Sequence, residues 1–195
     1  MLVLATPLAS GQSAPLHADF GAEFGAIERT RTQAGPSAPT PLPGSVAEVH
    51  GHVALLPMVR AGLYLAYDLG PASSGPLRHL AEAGVRLKVA PPLFRAPWHG
   101  WAFAGLGYGA AVRPSYVARG QPVEGAGGGL LDVPVGVGIG VRVRRPLVLF
   151  AEVAGRFGLA FTGSLYDASR CSCSATFAGK DSFAASLSVG VSWGD

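Results

Sequence analysis

The sequence predicts an all-β chain folded as a single eight-stranded antiparallel up-and-down transmembrane β-barrel. Three observations predict it. Apolar residues recur with a period of two along most of the chain. Charged residues make up 14% of the 195 residues, against roughly 25% in an ordinary soluble domain. The 28 glycines and 16 prolines work against long helices, although mean hydropathy is +0.33. No stretch reaches the ~18 apolar residues of a membrane-spanning helix, so any crossing falls to strands.

The strands follow in chain order. Phe20, Ala22, Phe24 and Ala26 oppose Asp19, Gly21, Glu23 and Gly25. Val49, Val53 and Leu55 oppose Glu48, His50 and His52. Residues 57–59 break the next stretch, after which Ala61, Leu63, Leu65, Tyr67 and Leu69 oppose Arg60, Gly62, Tyr64 and Asp68. Ala83, Val85, Leu87 and Val89 oppose Glu82, Arg86 and Lys88, with Arg78 on the same polar side. The helical spacing of Leu77, Leu80 and Ala81 after Ser74 offers an alternative there, a helix start that would shorten this strand to 84–90. In 98–113, Leu106, Tyr108 and Val112 oppose Gly105, Gly107 and Gly109, with Trp101 and Phe103 leaving the facing open. Residues 131–143 place Leu, Val and Ile opposite Asp132, Gly136, Gly138, Gly140 and Arg142. Residues 147–161 set Leu149, Val153, Phe157 and Leu159 against Glu152 and Arg156. The final strand alternates Phe183, Ala185, Leu187, Val189, Val191 and Trp193 with small or polar residues. Successive strand residues point to opposite faces, so each segment has one greasy side.

Period alone does not say which side faces in. The polar rows are rich in glycine and serine, which suits a narrow filled lumen better than a water-washed exterior. Eight strands leave an interior just wide enough for side chains to fill. The expected lumenal charge network is Glu48, His50, His52, Arg60, Asp68, Glu82, Arg86, Lys88, Asp132, Arg142, Glu152 and Arg156. Connections fall at 30–45, 57–59, 70–76, 91–97, 114–128, 144–146 and 164–181, with the odd-numbered ones longer save that 70–76 equals 91–97 in length. Short periplasmic turns and long external loops produce that alternation. Tyr67, Phe161 and Phe183 then fall at external strand ends and Trp98, Trp101 and Trp193 at periplasmic ends, as membrane-interface aromatics.

The residues before the barrel, MLVLATPLASGQSAP, read as a probable signal-peptide remnant over 1–14 without its positive n-region. The barrel domain spans 17–194. Cys171 and Cys173 are loop thiols or a local disulfide; two ligands do not close a zinc site. Lys88 and Lys180 are the lysines among 15 basic residues, and the arginines scatter apart from Arg142, Arg144 and Arg145. That scatter argues against nucleic-acid binding. The Gly136-x-Gly138-x-Gly140 run lacks the third glycine and the helix of a dinucleotide loop. Glu48, His50 and His52 share a strand face within reach of one metal, but solvent-facing or structural roles are commoner, and neither metal nor cofactor is expected.

Three runs carry a family resemblance: Gly105-Leu106-Gly107-Tyr108-Gly109, Val135-Gly136-Val137-Gly138-Ile139-Gly140 and Gly190-Val191-Ser192-Trp193. With the alternation over 17–194, they resemble the small eight-stranded outer-membrane barrels of Gram-negative bacteria, the OmpA-like and OmpX-like group. The resemblance implies the cell outer membrane, contact with its lipid and with the barrel-assembly machinery, and a monomer. Members usually end in an aromatic residue, whereas here Gly194 and Asp195 follow Trp193. The function expected is structural or adhesive, without enzymatic activity, and with loops 30–45, 114–128 and 164–181 outside. The alternatives are a soluble or periplasmic barrel binding an apolar ligand, and a lipid-modifying enzyme using His50 in the external half.

Overall fold

The computed structural model describes residues 18–33, 40–71, 77–92, 96–118, 120–166 and 179–194. The proposed leader, Cys171 and Cys173 lie outside them. The strands are β1 (Ala18–Gln33), β2 (Thr40–Leu56), β3 (Val59–Pro71), β4 (Leu77–Val89), β5 (Trp98–Arg113), β6 (Tyr116–Ala118), β7 (Gln121–Val123), β8 (Ala126–Arg144), β9 (Leu147–Thr162) and β10 (Gly179–Gly194). Eight of these close into one barrel in the order β1-β10-β9-β8-β5-β4-β3-β2. Every neighbouring pair is antiparallel. The first strand pairs with the last, from Asp19 opposite Gly194 to Gln33 opposite Gly179, so no sheet edge is left open. β6 and β7 form a separate hairpin between β5 and β8.

Polarity is inside-out. Phe24 is 62% exposed, Leu63 68% and Val189 65%, whereas Asp132, Glu152 and Arg86 are at 2% or below. The outward row of β10, from Phe183 to Trp193, carries no charge. An apolar surface around a whole barrel far exceeds the few hundred Å² that a soluble monomer exposes. In lipid the same surface is at home, and a closed barrel satisfies every backbone donor and acceptor within the sheet. A soluble barrel with an apolar ligand inside is the opposite arrangement, and the structure excludes it.

The glycine rows have a packing cause. Phe103 lies flat on the wall at Gly136, where a Cβ would come 2.6 Å from its Cζ. Tyr64 does the same at Gly84, where a Cβ would come 2.6 Å from Cε1. Large lumenal side chains therefore require bare backbone opposite them.

Several expectations need correction. β4 is a strand from Leu77 onward, not a helix start, with Leu77 outward and Leu80 fully buried inside. The strands on the long-loop side run further than the alternation suggested, β1 to Gln33 and β8 from Ala126. Connection 90–97 is consequently longer than 34–39 or 72–76, and length alone does not separate the rims. Trp101 is not an interface aromatic. It is 8% exposed and turned into the lumen, because its indole N–H finds a carboxylate there. Phe161 also leaves the girdle. A bulge between Gly129 and Leu131, beside Ala160 at φ 48°, turns it onto Tyr166, ring centroids 5.0 Å apart. Trp98, Tyr67, Phe183 and Trp193 remain exposed on the outside, and Trp193 stacks on Phe20 at 6.5 Å.

Candidate functional site: the charged lumen

The inward rows bring charges from many strands to one axis. Arg86 of β4 donates to Glu48 of β2 at 2.7 Å and to both oxygens of Glu152 of β9 at 2.7 Å. Its guanidinium lies 3.5 Å from the centre of the Phe103 ring. Trp101 of β5 donates its indole N–H to the same Glu152 at 2.7 Å. Arg156 of β9 donates to Glu48 at 2.5 Å, to Asp132 of β8 at 3.3 Å, and to Glu82 of β4. Arg29 of β1 reaches Glu82 at 2.9 Å and Asp68 of β3.

Glu82 and Arg86 of β4, and Glu152 and Arg156 of β9, stand four residues apart on the inward rows, and their charges pair by an exchange between strands. Four residues along a strand are ~13 Å apart, too far for Glu82 to meet Arg86 or for Glu152 to meet Arg156. Each arginine instead takes the other strand's glutamate. Arginine stays protonated in proteins, so each buried guanidinium requires buried carboxylates beside it.

A second cluster lies towards the short-turn rim. Asp19 accepts from Arg60 at 2.5 Å, lies 3.5 Å from Lys88 and shares a 2.7 Å hydrogen bond with His52. Lys88 sits 4.4 Å above the Trp101 ring. Arg142 is half-exposed at this mouth, beyond the central network. Towards the long-loop rim the lumen turns apolar. Leu80, Ala111, Leu130, Leu165 and Tyr166 pack together there, and Arg113 donates to the Glu124 carbonyl at 3.2 Å.

Arg29 belongs to this interior but to none of the expected polar rows, whereas Glu23 lies on the polar row expected of β1 without being counted in the network. Both continue the inward parity of Asp19 and Gly21. Ile27 interrupts that polar row, which hides Arg29 from a sequence reading. His50 is 2% exposed and lies mid-strand, six residues before the end of β2, against Phe150 at 5.9 Å. It is therefore not a group of the outer rim, and the enzyme alternative loses its proposed base.

No protein-family profile matches the chain, and no curated protein matches it. Solved structures do. Neisserial surface protein A matches with a TM-score of 0.57 at 14% identity, covering 89% of this chain and 96% of that one. A major outer membrane protein from Thermus thermophilus matches with a TM-score of 0.54 at 11% identity, covering 91% and 99%. The chain has the fold of the small outer-membrane β-barrels. The outer membrane protease OmpT from Escherichia coli shares this barrel fold with a TM-score of 0.50 at 9% identity, covering 95% and 100%. The apolar exterior of this barrel fits the lipid environment of the outer-membrane proteins that share its fold.

Proposed function

We propose that the protein is a monomeric outer-membrane barrel with a structural or surface-interaction role, closed to ions and without enzymatic activity. The observation that carries this reading is the lumen. Arg86 and Arg156 cross it between β2, β4, β8 and β9, and the Leu80 cluster packs towards its long-loop end. An interior tied in this way leaves the loops as the surface through which partners are met. The even strand number puts both strand termini at the short-turn rim, which is the periplasmic side. Connections 34–39, 72–76, 114–125 and 163–178 are then external, and the β6–β7 hairpin presents Val117, 70% exposed, to the outside. Lipid and the barrel-assembly machinery are the partners that this biogenesis and location require.

Single-molecule conductance in planar bilayers tests the closed lumen. The folded protein is expected to give no resolvable steps, and steady ion conductance would overturn the reading. A peptide tag inserted at Gly120 tests the external surface. It is expected to be labelled by antibody on intact cells, and labelling only after the outer membrane is breached would contradict the assignment.

A further inference from the structure

We propose that the lumen holds a divalent transition-metal ion between Glu23 of β1 and Glu48 and His50 of β2. One donor atom from each lies within 4.8 Å of the others. Such a site is separate from the surface role and does not depend on it.

The geometry begins with strand register. Glu23 is paired with Glu48, and Gly21 with His50, across β1 and β2. Gly21 lets the His50 ring lie against the wall, since a Cβ there would collide with the imidazole Nε2. Phe150 and His52 flank the ring, at 5.9 and 5.0 Å between centroids. The ring is thus held at 2% exposure. Its Nδ1 lies 3.7 Å from Glu48 Oε1, within ion-pair reach but too long for a hydrogen bond, and makes no hydrogen bond among the described residues. A buried ring nitrogen without a hydrogen bond is costly, and a metal ion in this cluster would satisfy it.

Glu23 differs from its neighbours in its partner. Glu48, Asp68, Glu82, Asp132 and Glu152 pair with Arg29, Arg78, Arg86 and Arg156. Glu23 hydrogen-bonds instead to the neutral Ser188 hydroxyl, at 2.5 Å. Glu48, in contrast, is fixed by Arg86 and Arg156, which orient it as outer partners orient a ligating carboxylate. One imidazole and two carboxylates suit zinc, manganese or cobalt rather than calcium. Glu23 is half-buried, which leaves one side of the site partly accessible for the remaining coordination positions.

The test uses tag-free full-length protein with Cys171 and Cys173 changed to serine, refolded in detergent and stripped with EDTA. Cobalt(II) is titrated while its d–d absorption is recorded, and zinc is added as competitor. One equivalent of cobalt is expected to give bands that zinc abolishes. E23Q and H50Q are each expected to weaken binding more than about a hundredfold, beyond the roughly 10–100-fold cost of losing a supporting contact. H79Q, on the outside, is expected to leave it unchanged. Heat-modifiable gel migration reports folding of each variant. If H50Q does not fold, E23Q decides, because Glu23 has no ion pair among the described residues. Absence of bands, as when Glu23 simply carries a proton, overturns the proposal. Bands that persist unchanged in E23Q overturn it as well.

Discussion

Arg86 shows what a single lumenal side chain does. Its guanidinium holds Glu48 and Glu152 and rests on Phe103. Removing one partner from a buried ionic group typically costs about 3–5 kcal/mol, because the remaining charge stays buried. R86M is therefore expected to lower the free energy of unfolding in urea by about that amount. A loss under ~1 kcal/mol, the range of an exposed pair, would contradict the burial of this network. Gly136 acts through the space it leaves. G136A places a methyl group 2.6 Å from Phe103 Cζ, and overpacking of this kind costs about 1–3 kcal/mol. The same unfolding measurement checks it, and an unchanged midpoint would mean that Phe103 and the Val153 carbonyl, 2.5 Å from the added methyl group, both have room to move. Trp101 is one of the residues at which the rule of apolar side chains outward fails. Its ring suits lipid or lumen equally, and what decides is a contact with Glu152 across the barrel, which no local pattern encodes.

At the scale of the strand, period two carried most of the information. The row from Phe183 to Trp193 was legible because six apolar residues alternate without a break. β1 was legible only to Ala26, because Ile27 sits inside among the polar residues and packs with Val46 and Ala184. β4 was ambiguous because Leu77, Leu80 and Ala81 fit a helix as well as a strand whose inner end is apolar. The bulge beside Ala160 could not be foreseen, and it reassigns Phe161 to the interior. The strand itself makes a depth-dependent prediction. Val189 lies between the Phe183 and Trp193 ends of β10 and is 65% exposed, while Val143 lies beside the 145–146 turn at 58%. V189R is expected to cost about 2–4 kcal/mol in a bilayer and V143R about 0–1. Equal costs for the two would mean that the apolar belt is misplaced along the strands.

For the whole molecule, closure was foreseeable and the wiring was not. An even set of alternating strands with a polar, glycine-rich face requires a barrel with its first strand beside its last. Which carboxylate meets which arginine depends on the strands that face each other across the axis. Glu82 with Arg156 and Glu152 with Arg86 are contacts of that kind. Lipid contact outside and ion pairing inside both follow from the direction in which the two rows of each strand point, and spin labelling reads this directly. Single cysteines from Leu187 to Ser192, in a background with Cys171 and Cys173 replaced, would carry nitroxides in bilayer-reconstituted protein. Collision with oxygen, which concentrates in the hydrocarbon, should be high at 187, 189 and 191 and low at 186, 188, 190 and 192. The reverse pattern, or no alternation, would contradict a barrel whose valines meet lipid and whose charges share its axis.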